Sequence, residues 1–183
     1  MALGDTNIIG DVTQTLKDLL KELEVTLDSP ATLPTGGESD FKKLNLFLYQ
    51  VLENPHAKNQ HWLSPTATTQ EYPSLAINLY YLLTPYAKDM ISAHQVLSHA
   101  MSVLHDNSIV SGKQLLGALP SAVEQLVLLL CPMTLEELTR IWNALQSPYR
   151  LSVCYEVRIA LLRSTISQNV SRVSQKVDVF TQI

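Results

Sequence analysis

Residues 149–161 read Tyr-Arg-Leu-Ser-Val-Cys-Tyr-Glu-Val-Arg-Ile-Ala-Leu. Tyr149, Leu151, Val153, Tyr155, Val157, Ile159 and Leu161 share one parity, and Arg150, Ser152, Cys154, Glu156 and Arg158 share the other. A period of two predicts a strand with one buried and one polar face. Thirteen extended residues reach roughly 44 Å, further than any other candidate strand in the chain. That length predicts an end that overhangs its neighbours, or a place at the sheet edge, where an unpaired backbone invites a partner strand.

Working back from this strand, Ser147-Pro148 closes a helix over 134–145. Thr134 followed by Glu137 is a capping-box signature, with Met133 and Leu138 placed as a hydrophobic staple. Leu135, Leu138, Ile141, Trp142 and Leu145 form its apolar face. Ala122 to Cys131, bounded by Pro120 and Pro132, reads as a buried strand, and Ser111 to Gly117 as a short helical turn. Asp89 to His105 predicts a helix whose stripe is Met90, His94, Leu97, Met101 and Leu104, flanked by Ala93 and Ala100. Ser74 to Leu83 is a strand that Thr84-Pro85 should end, since proline lacks the ladder donor. Leu44 to Leu52 is apolar on both parities and reads as a strand covered on both sides.

Nearer the start, Ile8, Val12, Leu16, Leu19, Leu20 and Leu23 make one helical stripe, followed by an extended Val25-Thr26-Leu27. Residues 28–40, with Gly36-Gly37, and 53–73, with Trp62 and Tyr72, read as loops. The order α-β-β-α-β-α-β predicts an α+β single domain over 1–163, with a roughly four-stranded mixed or antiparallel sheet and helices mainly on one face. Residues 164–183 are expected to be a C-terminal arm, helical or extended, in which Ile166, Val170, Val173, Val177 and Phe180 step by four and three. The expected core includes Leu16, Leu20, Leu79, Tyr81, Leu97, Met101, Leu138, Trp142, Val153 and Val157.

The chain has 183 residues, 46% of them hydrophobic and 16% charged. About 25% charged is usual, so part of the surface is expected to lie against another protein. Thirteen Lys and Arg against 17 Asp and Glu give a net charge of −4, which argues against nucleic acid as a partner. No apolar run approaches the ~20 residues of a membrane helix, and the N-terminal residues lack the basic and apolar regions of a signal peptide. Cys131 and Cys154 fall in predicted strands and read as packed thiols of a protein made in a reducing cytoplasm.

No catalytic motif emerges: neither a G-x-S-x-G, nor a phosphate loop, nor a dinucleotide fingerprint is present. His94 and His105 share a helix face about 16 Å apart, too far for one metal, and His99 points elsewhere. The expected roles are a half-buried His94 bonded to backbone and a His105 near the helix C-terminus. His56 and His61 have no acidic or thiol neighbours in sequence. No cofactor, metal or catalytic residue is assigned.

Five segments carry a resemblance: DVTQTL (11–16), NLFLYQVLENPHAKN (45–59), LAINLYYLLTPYAKD (75–89), AHQVLSHAMSVLHD (93–106) and LTRIWNALQSPYRLSVCYEVRIALL (138–162). In this order and spacing they resemble the cap, or tail-terminator, proteins of phage-tail-like contractile injection systems. The resemblance runs from about Asp5 to Leu162. It implies a structural, non-enzymatic role. The expected assembly is a homo-hexameric ring on the baseplate-distal end of the inner tube and sheath. Such a ring ends polymerisation and holds tube to sheath, without membrane insertion. It would be assembled in the bacterial cytoplasm and remain at the end of the particle. An adaptor that anchors the particle's end to a membrane or another component is the competing reading, with a ligand-binding domain of the same fold third. The polar parity of the last strand, Arg150, Glu156 and Arg158, is the expected subunit, tube or sheath interface, since it carries both charge signs in a charge-poor chain.

Overall fold

The computed structural model describes residues 7–33, 43–57, 63–66, 69–162 and 167–169. Gly36-Gly37, His61, Trp62 and all of the 164–183 arm except 167–169 lie outside the described residues. The order is α1 (Ile8–Leu19), β1 (Glu24–Thr26), β2 (Lys43–Glu53), β3 (Leu63–Thr66), β4 (Thr69–Glu71), β5 (Leu75–Tyr86), α2 (Met90–Asp106), β6 (Ile109–Ser111), α3 (Leu119–Ala122), β7 (Gln125–Cys131), α4 (Leu135–Ala144), β8 (Val153–Leu162) and β9 (Ser167–Asn169). Six strands form one sheet in the order β1-β2-β5-β8-β7-β6, and β3-β4-β9 form a second, small one. β1 runs parallel to β2; the remaining rungs of the large sheet are antiparallel.

Among the described residues, the sheet has a helix layer of α1, α2 and α3 on one face and α4 alone on the other. On the first face the main core gathers Val12, Leu16 and Leu20 from the α1 region, Ala100 and Leu104 from α2, and Leu119 from α3. These meet Leu79, Tyr81, Leu83, Leu128 and Val157 of the strands. Thr13 Oγ1 and Tyr81 Oη, 2.8 Å apart, share a hydrogen bond that registers α1 on β5. Burial pushes the Tyr81 phenol up to about 12. α1 also holds the loop before α3: the Leu116 N–H donates to Thr15 Oγ1 and the Ala118 N–H to Asp11 Oδ2. Gly117 between them has φ +60, and a Cβ there would fall on the Asp11 carboxylate.

On the second face α4 lies over β5 and β8, where Leu138 and Trp142 pack on Leu82, with Tyr49, Met133, Ile141 and Leu145 around them. The capping box is complete: Thr134 Oγ1 accepts from the Glu137 N–H, and the Glu137 carboxylate accepts from the Thr134 N–H at 2.7 Å. Met133 and Leu138 do pack in one cluster, but Leu135 is exposed. Thr134→Ala should cost about 1 kcal/mol, read as a lower urea midpoint with an unchanged slope.

Several expectations are corrected by the sheet. The large sheet has six strands rather than about four: the extended segment at Val25-Thr26 joins it as the three-residue β1, and β6, also three residues, carries too little periodicity to be read. β5 continues through Pro85 to Tyr86. The β5–β8 ladder ends at Leu83, so a proline beyond it removes no rung on that side. On α2 the buried stripe is Ala93, Val96, Leu97, Ala100 and Leu104, leaving Met90 and His94 exposed.

β8 differs most. It is ten residues long, shorter than β2 and β5, and it sits inside the sheet with β5 and β7 on either side. Tyr149 to Leu151 precede the strand. The β7 ladder stops at Arg158 while β5 continues to Leu162, so the overhang exists only on the β7 side.

Candidate functional site

The strand parity read as polar points to the second face, and most of it is covered. α4 crosses that face at Ser152 and Cys154: Trp142 Nε1 donates to Ser152 Oγ at 3.1 Å, and Cys154 is buried beside Tyr49. Beyond α4 no described helix lies over the face. There β8 presents Glu156 and Arg158, β5 presents Asn78 and Tyr80, β7 presents Val127 and Leu129, and β2 presents Gln50 and Leu52. Leu52 is 45% exposed.

Glu156 is the centre of this half. It is only 7% exposed within the described chain. Asn78 Nδ2 donates to Oε1 at 2.8 Å and the Tyr80 hydroxyl to the same oxygen at 3.1 Å. Arg158 Nη2 donates to Oε2 at 2.9 Å. Asn78 is held in turn by Asn54 Nδ2, 3.1 Å from its Oδ1. Burial alone would raise the Glu156 carboxyl. Hydrogen bonds from Arg158, Tyr80 and Asn78, with the Arg158 charge, outweigh it and hold the group below the ordinary carboxylate range. Glu156 is therefore an ion at neutral pH that fixes the Arg158 guanidinium, whose side chain is 47% exposed.

Arg150 is not part of this cluster. Its guanidinium carbon stands 4.8 Å from the centroid of the Tyr86 ring, a cation–π contact at the far end of β5. About 20 Å of extended chain separates it from Glu156, with α4 between. Of the three residues taken from the strand parity, the fold joins Glu156 and Arg158 and sets Arg150 apart. The parity alone missed Asn54, Asn78 and Tyr80. One signal was available, an Asn in the otherwise apolar run Leu75–Leu83.

The first face carries a groove of ≈ 590 Å³ between α2, β7 and the chain entering β8. Leu97, Met101, Leu130, Leu151 and Tyr155 form its apolar walls, with His94 and His105 among its lining. His94 is exposed rather than half-buried. His99 Nε2 lies 3.2 Å from Glu22 Oε2, which ties α2 to the end of the α1 region. Among the described residues no three His, Cys, Asp or Glu side chains come together as a metal site. No described helix is long and apolar enough to cross a membrane.

The Pvc16 N-terminal domain model matches residues 9–176. The chain belongs to that family. No curated protein sequence matches it. Among solved structures, the sheath/tube terminator of an extracellular contractile injection system, PVC, in the extended state, is similar with a TM-score of 0.66 and 21% identity, over 96% of this chain and 65% of that one. The tube-terminating cap of the anti-feeding prophage is similar with a TM-score of 0.61 and 18% identity, over 95% of this chain and 60% of that one. At these identities the likeness is one of fold, and the chain spans less than two thirds of either structure's length.

Proposed function

We propose that this member of the Pvc16 N-terminal domain family caps the baseplate-distal end of a contractile injection particle. It forms a homo-hexameric ring that ends polymerisation of the inner tube and sheath and links the two. It acts through surfaces and not through catalysis, and it is assembled in the cytoplasm of the producing bacterium. The observation that carries this reading is a fold shared along 96% of the chain with a sheath/tube terminator. Head-to-tail contacts between identical subunits close into such a ring when the rotation per subunit divides a full turn.

The half of the second face beyond α4 is the contact surface in this reading. Tyr and Arg are enriched at interfaces, and a charge pair tends to fix register more than affinity. Arg158 supplies the charge, Glu156 holds it in place, and Arg150 marks a second contact beyond α4. Electron microscopy of particles from a strain lacking the protein should show overlong or unterminated tubes and sheaths; particles of normal length and normal ends would overturn the proposal. Arg150→Gln combined with Arg158→Gln should leave the monomer folded but abolish ring formation by size and mass. Glutamine is the better substitution at 158, since a glutamate there would set two carboxylates side by side. A double variant that still forms rings would remove these residues from the interface.

A further inference from the structure

Cys131 and Cys154 are direct partners across the β7–β8 ladder. Directly opposite residues of an antiparallel pair point to the same face of the sheet, with Cα atoms about 4.5 or about 5.5 Å apart depending on the rung. Both spacings lie inside the roughly 4.4–6.8 Å that a disulfide spans. Both thiols are free, Cys154 buried and Cys131 half-buried. The Cys154 thiol interacts with Cys131 as well as with the Tyr49 hydroxyl, 3.0 Å away. Two thiols held at one rung, one reachable and one sequestered, are arranged as an entry group and a resolving group.

We propose that Cys131 and Cys154 form a redox modification site, a cross-strand dithiol that a small-molecule disulfide such as oxidised glutathione converts to an intramolecular disulfide. The Cys131 thiolate attacks one sulfur of the reagent, expelling one small thiolate and forming a mixed disulfide. Cys154 then attacks the Cys131 sulfur, expels the second small thiolate and gives up its proton. The protein loses two electrons and two protons, and the reagent gains both and leaves as two thiols. The order follows from exposure: Cys131 is half-buried and Cys154 buried, and burial also raises the Cys154 thiol, which disfavours it as the first thiolate to attack. Closure staples β7 to β8 and closes the loop that carries α4. The terminator reading is not needed for any of these steps.

The test uses the full chain under native conditions, incubated with oxidised or reduced glutathione. The expected result is a fall from two titratable thiols to none, an intact mass lower by two hydrogens, and a peptide pair joining positions 131 and 154, all reversed by dithiothreitol. The oxidised form should melt roughly 5–10 °C higher. In Cys131→Ser the buried Cys154 should stay unmodified. A stable glutathione adduct on Cys131 with Cys154 still reduced would overturn the proposal. So would disulfide-linked dimers, two thiols left unreacted, or an oxidised form that melts no higher than the reduced one.

Discussion

Replacing Trp142 by alanine is expected to cost about 3–5 kcal/mol. Trp142 is 1% exposed and is the largest side chain in the small core between α4 and the sheet. That core has few other members, chiefly Leu82 and Leu138, so its neighbours cannot collapse into the space an indole leaves. The substitution also leaves Ser152 Oγ, in a residue 4% exposed, without the indole donor. The loss should appear as a lower denaturation midpoint at an unchanged slope, and as a melting temperature roughly 10–15 °C lower. Trp142→Phe keeps most of the volume and drops the hydrogen bond, so it should lose about 1–2 kcal/mol. A loss under about 1 kcal/mol for the alanine variant would mean that α4 is not anchored through this residue.

How much of this was legible in the sequence depends on the range of the interaction that fixes each element. α4 was written locally: the capping box, the staple pair and the Leu138–Trp142 face all lie within a dozen residues. α1 and α2 were visible as stripes; on α2, Leu97, Leu104 and the flanking Ala93 and Ala100 are buried, while Met90 and His94 are exposed. Which edge of that stripe is buried depends on the sheet beneath, which the helix's own residues do not record. Eight of the ten expected core residues are buried, and Met101 and Val153 are partly buried at the edge of the same cluster. The two three-residue edge strands and the β3-β4-β9 sheet depend on partners far away in the chain. The strand at 153–162 was recognised as a strand, while its place in the sheet was not. Its alternation was read as one buried and one polar face, and the polar residues Ser152, Cys154 and Glu156 each meet a specific partner brought by β2, β5 or α4. Polar residues that are satisfied by long-range contacts look the same in sequence as polar residues facing water.

Glu156→Gln tests that distinction. The substitution is expected to cost about 2–3 kcal/mol at neutral pH. Glutamine keeps an acceptor for Asn78 and Tyr80, but it loses the charge and turns a donor amide toward the Arg158 guanidinium. Arg158 is near half-exposed and recovers hydration, which keeps the cost below that of breaking a fully buried pair. The pH dependence carries the sharper signature. A carboxyl whose folded pKa lies below its unfolded value stabilises the fold above the unfolded value. That contribution disappears as pH falls through the folded value. Glu156 is shifted downward in the fold, so the difference between wild type and Glu156→Gln should be constant around pH 6–8. It should shrink steadily below the ordinary carboxylate range of about 4.3. Urea denaturation of both chains across this range reads it directly. If the two curves stay parallel into acid, Glu156 is not held as an ion, and the Arg158 guanidinium owes its position to something other than this carboxylate.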